Sequence, residues 1–183
     1  LCLGPRATWN RSVPISIAAV DDTTLARAGA VTLDSVQRLT PGLSISTAGS
    51  GFVSYTYIRG AGTNVLDIGA DPSVAFFVDE VYQAGTAGLQ GDLLDVERIE
   101  VLKGPQGTLF GRNAAAGAVS IITKRPEKEF NAWANADLGT YDALYLAGGV
   151  TGPLSSDGAL RFRMAGAHRQ QDGFVTNLAG KDP

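Results

Sequence analysis

Between Asn131 and Met164 apolar and polar residues take turns. That alternation restricts the stretch to extended ribbons with two unlike faces. From Asn131 to Leu138 the odd positions are Asn131, Trp133, Asn135 and Asp137, and the even ones are Ala132, Ala134, Ala136 and Leu138. A period of two marks a strand whose two sides meet different surroundings. Residues 139–142 read as a turn, and Leu144, Leu146, Gly148 and Val150 share the next apolar face. Residues 153–158 (PLSSDG) turn the chain again, and Leu160, Phe162 and Met164 then alternate with Arg161 and Arg163. Residues 170–183 read as a longer polar loop. The expectation is three consecutive antiparallel strands, each about the ~9–11 residues that cross a bilayer when tilted. A soluble β-meander with one face on a core shows the same pattern, so alternation alone leaves both open.

Upstream of Pro126 the grammar changes to short apolar runs punctuated by glycine. Val13 to Val20 predicts a strand entered through Pro14. Asp21 or Asp22 caps a short helix over DDTTLARAG, which Gly29 closes. A second helix starts at Thr32, sets Leu33, Val36 and Leu39 on one face, and stops at Pro41-Gly42. Strands are expected at 43–47, 54–59, 73–78, 96–103 and 118–124, with a loop over 60–72, a turn at Asp79-Glu80 and one helical turn at 92–94. The chain has 23 glycines in 183 residues, well above the ~7% of ordinary domains, which fits many tight bends. This half reads as one small α+β domain, a mixed sheet with short helices over 13–126, behind a leader remnant at 1–12.

Several classes of function find no support. Net charge is −3 with no run of either sign, so there is no basic footprint for nucleic acid. No apolar run approaches the ~20 residues of a membrane helix, which leaves barrel strands untouched. One cysteine (Cys2) excludes an intramolecular disulfide, and one histidine (His168) with one cysteine makes no metal-ligand set. No nucleophile stands beside a base, so an enzyme is not expected. The run GPQGTLFGR lacks the G-K-[ST] ending of a phosphate loop.

The stretch DLLDVERIEVLKGPQGTLFGRNAAAGAVSIITKRP, residues 92–126, resembles the signature of the TonB-dependent outer-membrane receptor plug. VPISI at 13–17, LTPGLSI at 39–45, YIRGAGTN at 57–64 and DPSVAFFVDEVY at 71–82 match in the same order. Five ordered blocks make a specific signal, and the alternating strands fall where that family's barrel begins. The resemblance implies a fragment: the plug at 13–126, then the first three or so antiparallel strands of a transmembrane β-barrel at 127–183. It also implies a 22-stranded barrel with a plugged lumen, as is general for such outer-membrane transporters. The setting would be the outer membrane of a Gram-negative cell, in contact with its lipid. The cargo would be a metal chelate or other small nutrient, foremost a ferric siderophore. The partner would be TonB of the inner-membrane TonB-ExbB-ExbD complex, which draws on the proton gradient to pull the plug. The TonB box that makes this contact is not found in residues 1–12. Iron would arrive already chelated, so no cofactor and no protein metal site are expected. Ferric siderophore, cobalamin, haem, nickel chelate and oligosaccharide all fit as cargo. A signalling domain ahead of the plug, or a free-standing periplasmic ligand-binding module with a plug-like fold, is the alternative.

The residues carry matching physical roles. On VERIEVLK, Glu97, Arg98, Glu100 and Lys103 interrupt an otherwise buried strand, and a buried charge needs a partner. Glu97 and Arg98 are placed to pair locally or across strands. The resemblance implies that Arg59 and Lys103 latch the plug to carboxylates of the barrel wall, and Glu97, Arg98 and Glu100 are grouped with them. Lys103 stands where arginine is commoner, and it lacks the bidentate fork. Gly60, Gly104, Gly107, Gly111 and Gly117 are expected at turns with positive φ or close packing. Asn64, Asp67, Tyr82 and Gln83, in the loops near 61–70 and 83–90, are the substrate-facing candidates.

Overall fold

The computed structural model describes residues 16–30, 32–48, 53–63, 72–84, 93–107 and 113–172. Residue contacts divide the chain into two units, 1–124 and 125–183. In the first, the elements run β1 (Ser16–Asp21), α1 (Asp22–Arg27), α2 (Leu33–Val36), β2 (Leu43–Ala48) and β3 (Val53–Ile58). They continue with β4 (Ala61–Gly62), β5 (Val74–Val78), β6 (Val81–Gln83), β7 (Val96–Lys103) and β8 (Gly117–Thr123). Five of these form one mixed sheet in the order β1-β7-β8-β5-β6, with β5 and β8 parallel and the other pairs antiparallel. β2, β3 and β4 form a second, antiparallel sheet.

Both faces of the larger sheet are covered over part of its length. This is why β5 reads as an unbroken apolar run and not as an alternation. Phe76, Ile99, Val101 and Val119 point to one side and pack with Leu25, Leu33, Val36 and Ile58 from the helices and the second sheet. Ala75, Phe77, Leu102 and Ala118 point to the other and are covered with Ala114 and Ile17. Farther along that second face the side chains turn polar: Arg98, Glu100 and Ser120 are only half-buried.

The Asp21 carboxylate accepts the Thr24 amide at 2.8 Å, so it closes the first turn of α1. Asp21→Ala is expected to lower stability by about 1 kcal/mol at neutral pH, read from urea unfolding. Thr24, through its hydroxyl and its amide, and then Thr23 hold the Asp21 carboxyl below its ordinary value of 3.8. A depressed native value stabilises fully above the unfolded one and is lost as pH falls through the native one. The gap between Asp21→Ala and the parent should therefore stay flat above about pH 5 and close in stronger acid.

The structure corrects three sequence expectations. The second helix is a single turn, Leu33–Val36, continued by tighter bonds in which Arg38, Leu39 and Thr40 donate to carbonyls three residues back. Leu94 and Asp95 form a turn and not a helix, with Asp95 at φ +59, while Asp92 lies outside the described residues. Arg59 does not end a strand, and 60–72 is not all loop. Arg59 (φ +54) and Gly60 (φ +79) are the two central residues of a hairpin that returns as β4. Positive φ at both positions is the geometry that matches strand twist. Asp79 (φ +47) and Glu80 (φ +70) turn β5 into β6 in the same way, as expected there. The Asp79 carboxylate holds this turn by accepting the Thr123 amide at 2.8 Å and hydroxyl at 2.7 Å.

The second unit is an antiparallel sheet of β9 (Asn131–Leu138), β10 (Leu144–Pro153) and β11 (Arg161–Gln170), ordered β11-β10-β9. β11 runs six residues past Met164, farther than the apolar alternation reached. The cross-strand rows separate by chemistry. Asn131, Thr151 and Arg163 lie in one row, and Asp137, Tyr145 and Arg169 in another row of the same face. Ala132, Val150 and Met164, and Ala136, Leu146 and His168, make rows of the opposite face. On that apolar face Leu138 is 84% exposed and Met164 68%. On the polar face the Trp133 ring covers Gly149, where a Cβ would stand 2.7 Å from the indole nitrogen. Glu127 is clasped over the same face: its amide donates to the Thr151 hydroxyl at 2.9 Å, and its carboxylate accepts Arg163 at 3.3 Å.

Candidate functional site

Two basic residues are tied to the turn at Pro41-Gly42, one by its backbone and one by its charged side chain. The Arg59 amide donates to the Gly42 carbonyl at 2.7 Å, and the Lys103 ammonium donates to the Pro41 carbonyl at 2.7 Å. Arg59 reaches this place because its hairpin turn is held in the left-handed region, a conformation that costs a non-glycine residue roughly 1–2 kcal/mol. Strain of this kind persists where the surroundings over-determine it. Lys103 reaches it from the last position of β7, on the same face as Ile99 and Val101.

Neither side chain is paired with a carboxylate among the described residues. Arg59 is exposed and Lys103 is half-buried. Burial first, and then the Arg59 charge, pull the Lys103 ammonium below its usual pKa. Among the described residues this small positive site has no paired counter-charge. This acceptor turn, which takes the Arg59 amide and the Lys103 ammonium, is the feature sequence reasoning missed. The only hint was that LTPG precedes YIRG in the same order as in the family.

The remaining charges of β7 are arranged otherwise. Arg98 forks between Glu97 at 2.6 Å and Glu100 at 2.7 Å. The register slips by one residue between Val96 and Arg98. That bulge inserts Glu97 and lets both carboxylates reach one guanidinium. The Glu100 hydrogen bond foremost, then the Glu100 and Glu97 charges, raise the Arg98 pKa further. These three residues form a local triad at the opposite end of β7 from Lys103.

Of the substrate-facing candidates, Asn64 and Asp67 lie outside the described residues. Tyr82 packs against Phe77 with ring centroids 5.7 Å apart, and its hydroxyl accepts the Asn113 amide at 2.7 Å. Gln83 bonds back to the Val81 carbonyl at 3.2 Å. Among the turn glycines, Gly60, Gly104 and Gly117 have positive φ, and Gly111 lies outside the described residues. Gly107 is a correction: its φ is not positive and a Cβ there would meet nothing within 4 Å.

The first unit is thus a glycine-laced mixed sheet with short helices. The profile of the TonB-dependent Receptor Plug Domain matches residues 9–118, and the chain belongs to that family. It is similar to the pesticin receptor of Yersinia pestis, 31% identical over 165 residues, covering 90% of this chain and 24% of that protein. It is equally similar to the ferripyoverdine receptor of Pseudomonas aeruginosa, 31% identical over 181 residues, covering 99% of this chain and 21% of that protein. The crystal structure of the ferric yersiniabactin uptake receptor from Yersinia pestis superposes with a TM-score of 0.72 at 29% identity, covering 78% of this chain and 22% of that one. The chain thus spans between a fifth and a quarter of the length of these relatives. They are receptors and not enzymes, and the family places the chain in the outer membrane of a Gram-negative cell.

Proposed function

We propose that the chain is the plug, residues 13–126, and the opening wall, residues 127–183, of an outer-membrane transporter that imports a ferric siderophore. One observation carries this reading. The domain with unpartnered cations is followed on the same chain by a sheet that is polar on one face and bears exposed leucine and methionine on the other. That sheet suits a wall with water on one side and lipid on the other. No helix among the described residues is long and apolar enough to cross a membrane, which says nothing of strands. A free-standing periplasmic module fits less well, because it would leave Leu138, Leu146 and Met164 in water.

In this reading Arg59 and Lys103 pair with carboxylates of the completed wall, while Glu97, Arg98 and Glu100 make a neutralising surface against it. Asn64 and Asp67 in sequence positions 61–70, and Tyr82 and Gln83 on strand β6, meet the chelate, with Tyr82 held in place by Asn113. TonB, energised from the inner membrane, displaces the plug. The cargo class rests on the relatives, which are named for pyoverdine, yersiniabactin and pesticin.

The test is uptake of labelled ferric siderophores by a strain lacking its own receptors and carrying the complete gene. Saturable uptake that an uncoupler or loss of TonB abolishes is expected. Uptake indifferent to both would sink the transport reading.

A further inference from the structure

At the β10–β11 turn an open hollow of about 530 Å³ is lined by Lys128, Ser155, Ser156, Asp157, Gly158 and Arg161. Its charge is unbalanced toward the cations. Asp157 is engaged within the turn, accepting the Ser155 hydroxyl and the Ala159 amide. Lys128 and Arg161 make no hydrogen bond or ion pair with any described residue. This differs from Arg163 two residues on, whose side chain is 8% exposed and paired with Glu127. The same hairpin end carries Leu154 and Leu160, both largely exposed and joined by the Leu154 amide donating to the Leu160 carbonyl. Arg161 stands on the face of Thr151 and Arg163, at the end of the strand, and Leu154 and Leu160 flank it in the turn, so polar and apolar groups meet at this rim.

We propose that this turn is a seat for the phosphate group of a phospholipid. Arg161 and Lys128 hold the phosphodiester, the Ser155 and Ser156 hydroxyls lie along its margin, and Leu154 and Leu160 meet the first carbons of the acyl chains. Charge-assisted hydrogen bonds to phosphate are the stronger kind, and the arginine fork suits them. Long basic side chains at the end of an apolar band reach the headgroup level in the same way. The site rests on the second unit being a bilayer-spanning wall, and it adds to that reading a preference for anionic lipid at one edge.

The experiment uses the complete receptor, purified from outer membranes in mild detergent and titrated with phosphatidylglycerol under native mass spectrometry. Lys128→Gln with Arg161→Gln should lower phosphatidylglycerol retention about tenfold, while Arg27→Gln, an exposed charge on α1, should leave it unchanged. Lys128→Arg with Arg161→Lys should keep it, because both charges remain. Inorganic phosphate should compete only at far higher concentration than the lipid. Equal competition by phosphate would overturn the lipid assignment, and retention unchanged in the double glutamine variant would overturn the site. Heat-modifiable gel migration separates the two levels of failure. An inserted barrel without lipid retention speaks against this site alone, and a receptor that never inserts removes the proposed function with it.

Discussion

Replacing Gly117 by alanine is expected to cost this chain about 3 kcal/mol, near the upper end for a single substitution. Gly117 opens β8 between Lys103 of β7 and Val74 of β5, with φ at +153. A Cβ there would stand 2.3 Å from the Leu102 carbonyl oxygen and 2.7 Å from Ile58 Cδ1. The isoleucine tip can rotate, but the carbonyl belongs to the neighbouring backbone and can yield only if β7 and β8 part. Those two strands carry Ile99, Val101, Val119 and Ile121, the middle of the larger core. The backbone conformation adds its own cost of roughly 1–3 kcal/mol for a residue with a side chain. Urea unfolding of the parent and of Gly117→Ala should show a midpoint lower by about one to three molar, for a slope of about 1–3 kcal/mol per molar. Gly107→Ala is the matched comparison, since nothing stands within 4 Å of the added atom. It should move the midpoint by less than about 0.5 kcal/mol in equivalent stability. Equal effects from the two substitutions would refute the steric account.

The contrast between these two glycines shows what a sequence does and does not reveal. Both stand in the punctuated stretch 104–117, and composition treats them alike. They differ only in whether another strand passes overhead, which depends on pairing between segments distant in sequence. The strands themselves were legible, because alternation and β-branched runs are local. β1, β5, β7, β8, β9 and β10 fall where the residues suggest. The hairpin at Arg59-Gly60 was not, because an arginine in the left-handed region contradicts its own propensity and is held there by the Gly42 carbonyl. For the site, residue types were legible and partners were not. The local pairing of Arg98 with Glu97 was one of the two options the residues offered, whereas the bulge that also brings Glu100 to the same guanidinium has no local pattern. The pairing of Lys103 with the Pro41 carbonyl spans 62 residues and has no signature in either segment alone.

In the complete receptor, Arg59→Ala combined with Lys103→Ala is expected to raise passive leak at least tenfold, while the same substitutions cost the isolated chain no more than about 1 kcal/mol, because burial of the Lys103 charge offsets much of its bond to Pro41. The two halves of this expectation have one cause. Within the chain the Lys103 ammonium is held at the Pro41 carbonyl and feels the Arg59 charge, with no described carboxylate paired to either. Burial, then Arg59, lowers the Lys103 pKa, so the native state holds that proton less tightly than the unfolded chain does. Stability therefore rises with pH through the window that ends at the unfolded value of 10.5. Lys103→Gln should abolish that rise without loss at neutral pH. Inside a barrel, each cation that meets a carboxylate gains a charge-assisted bond of about 1.5–3 kcal/mol. Losing two such bonds is enough to raise the fraction of displaced plugs by a factor of ten or more. Single-channel conductance in planar bilayers, and sensitivity of whole cells to antibiotics too large for ordinary porins, both read this quantity. Lys103→Arg should keep the pore closed, since it preserves the charge and adds the fork. A double variant that leaks no more than the parent, or an isolated chain that loses several kcal/mol on the same change, would mean that the two cations serve the domain's own fold and not its hold on the wall.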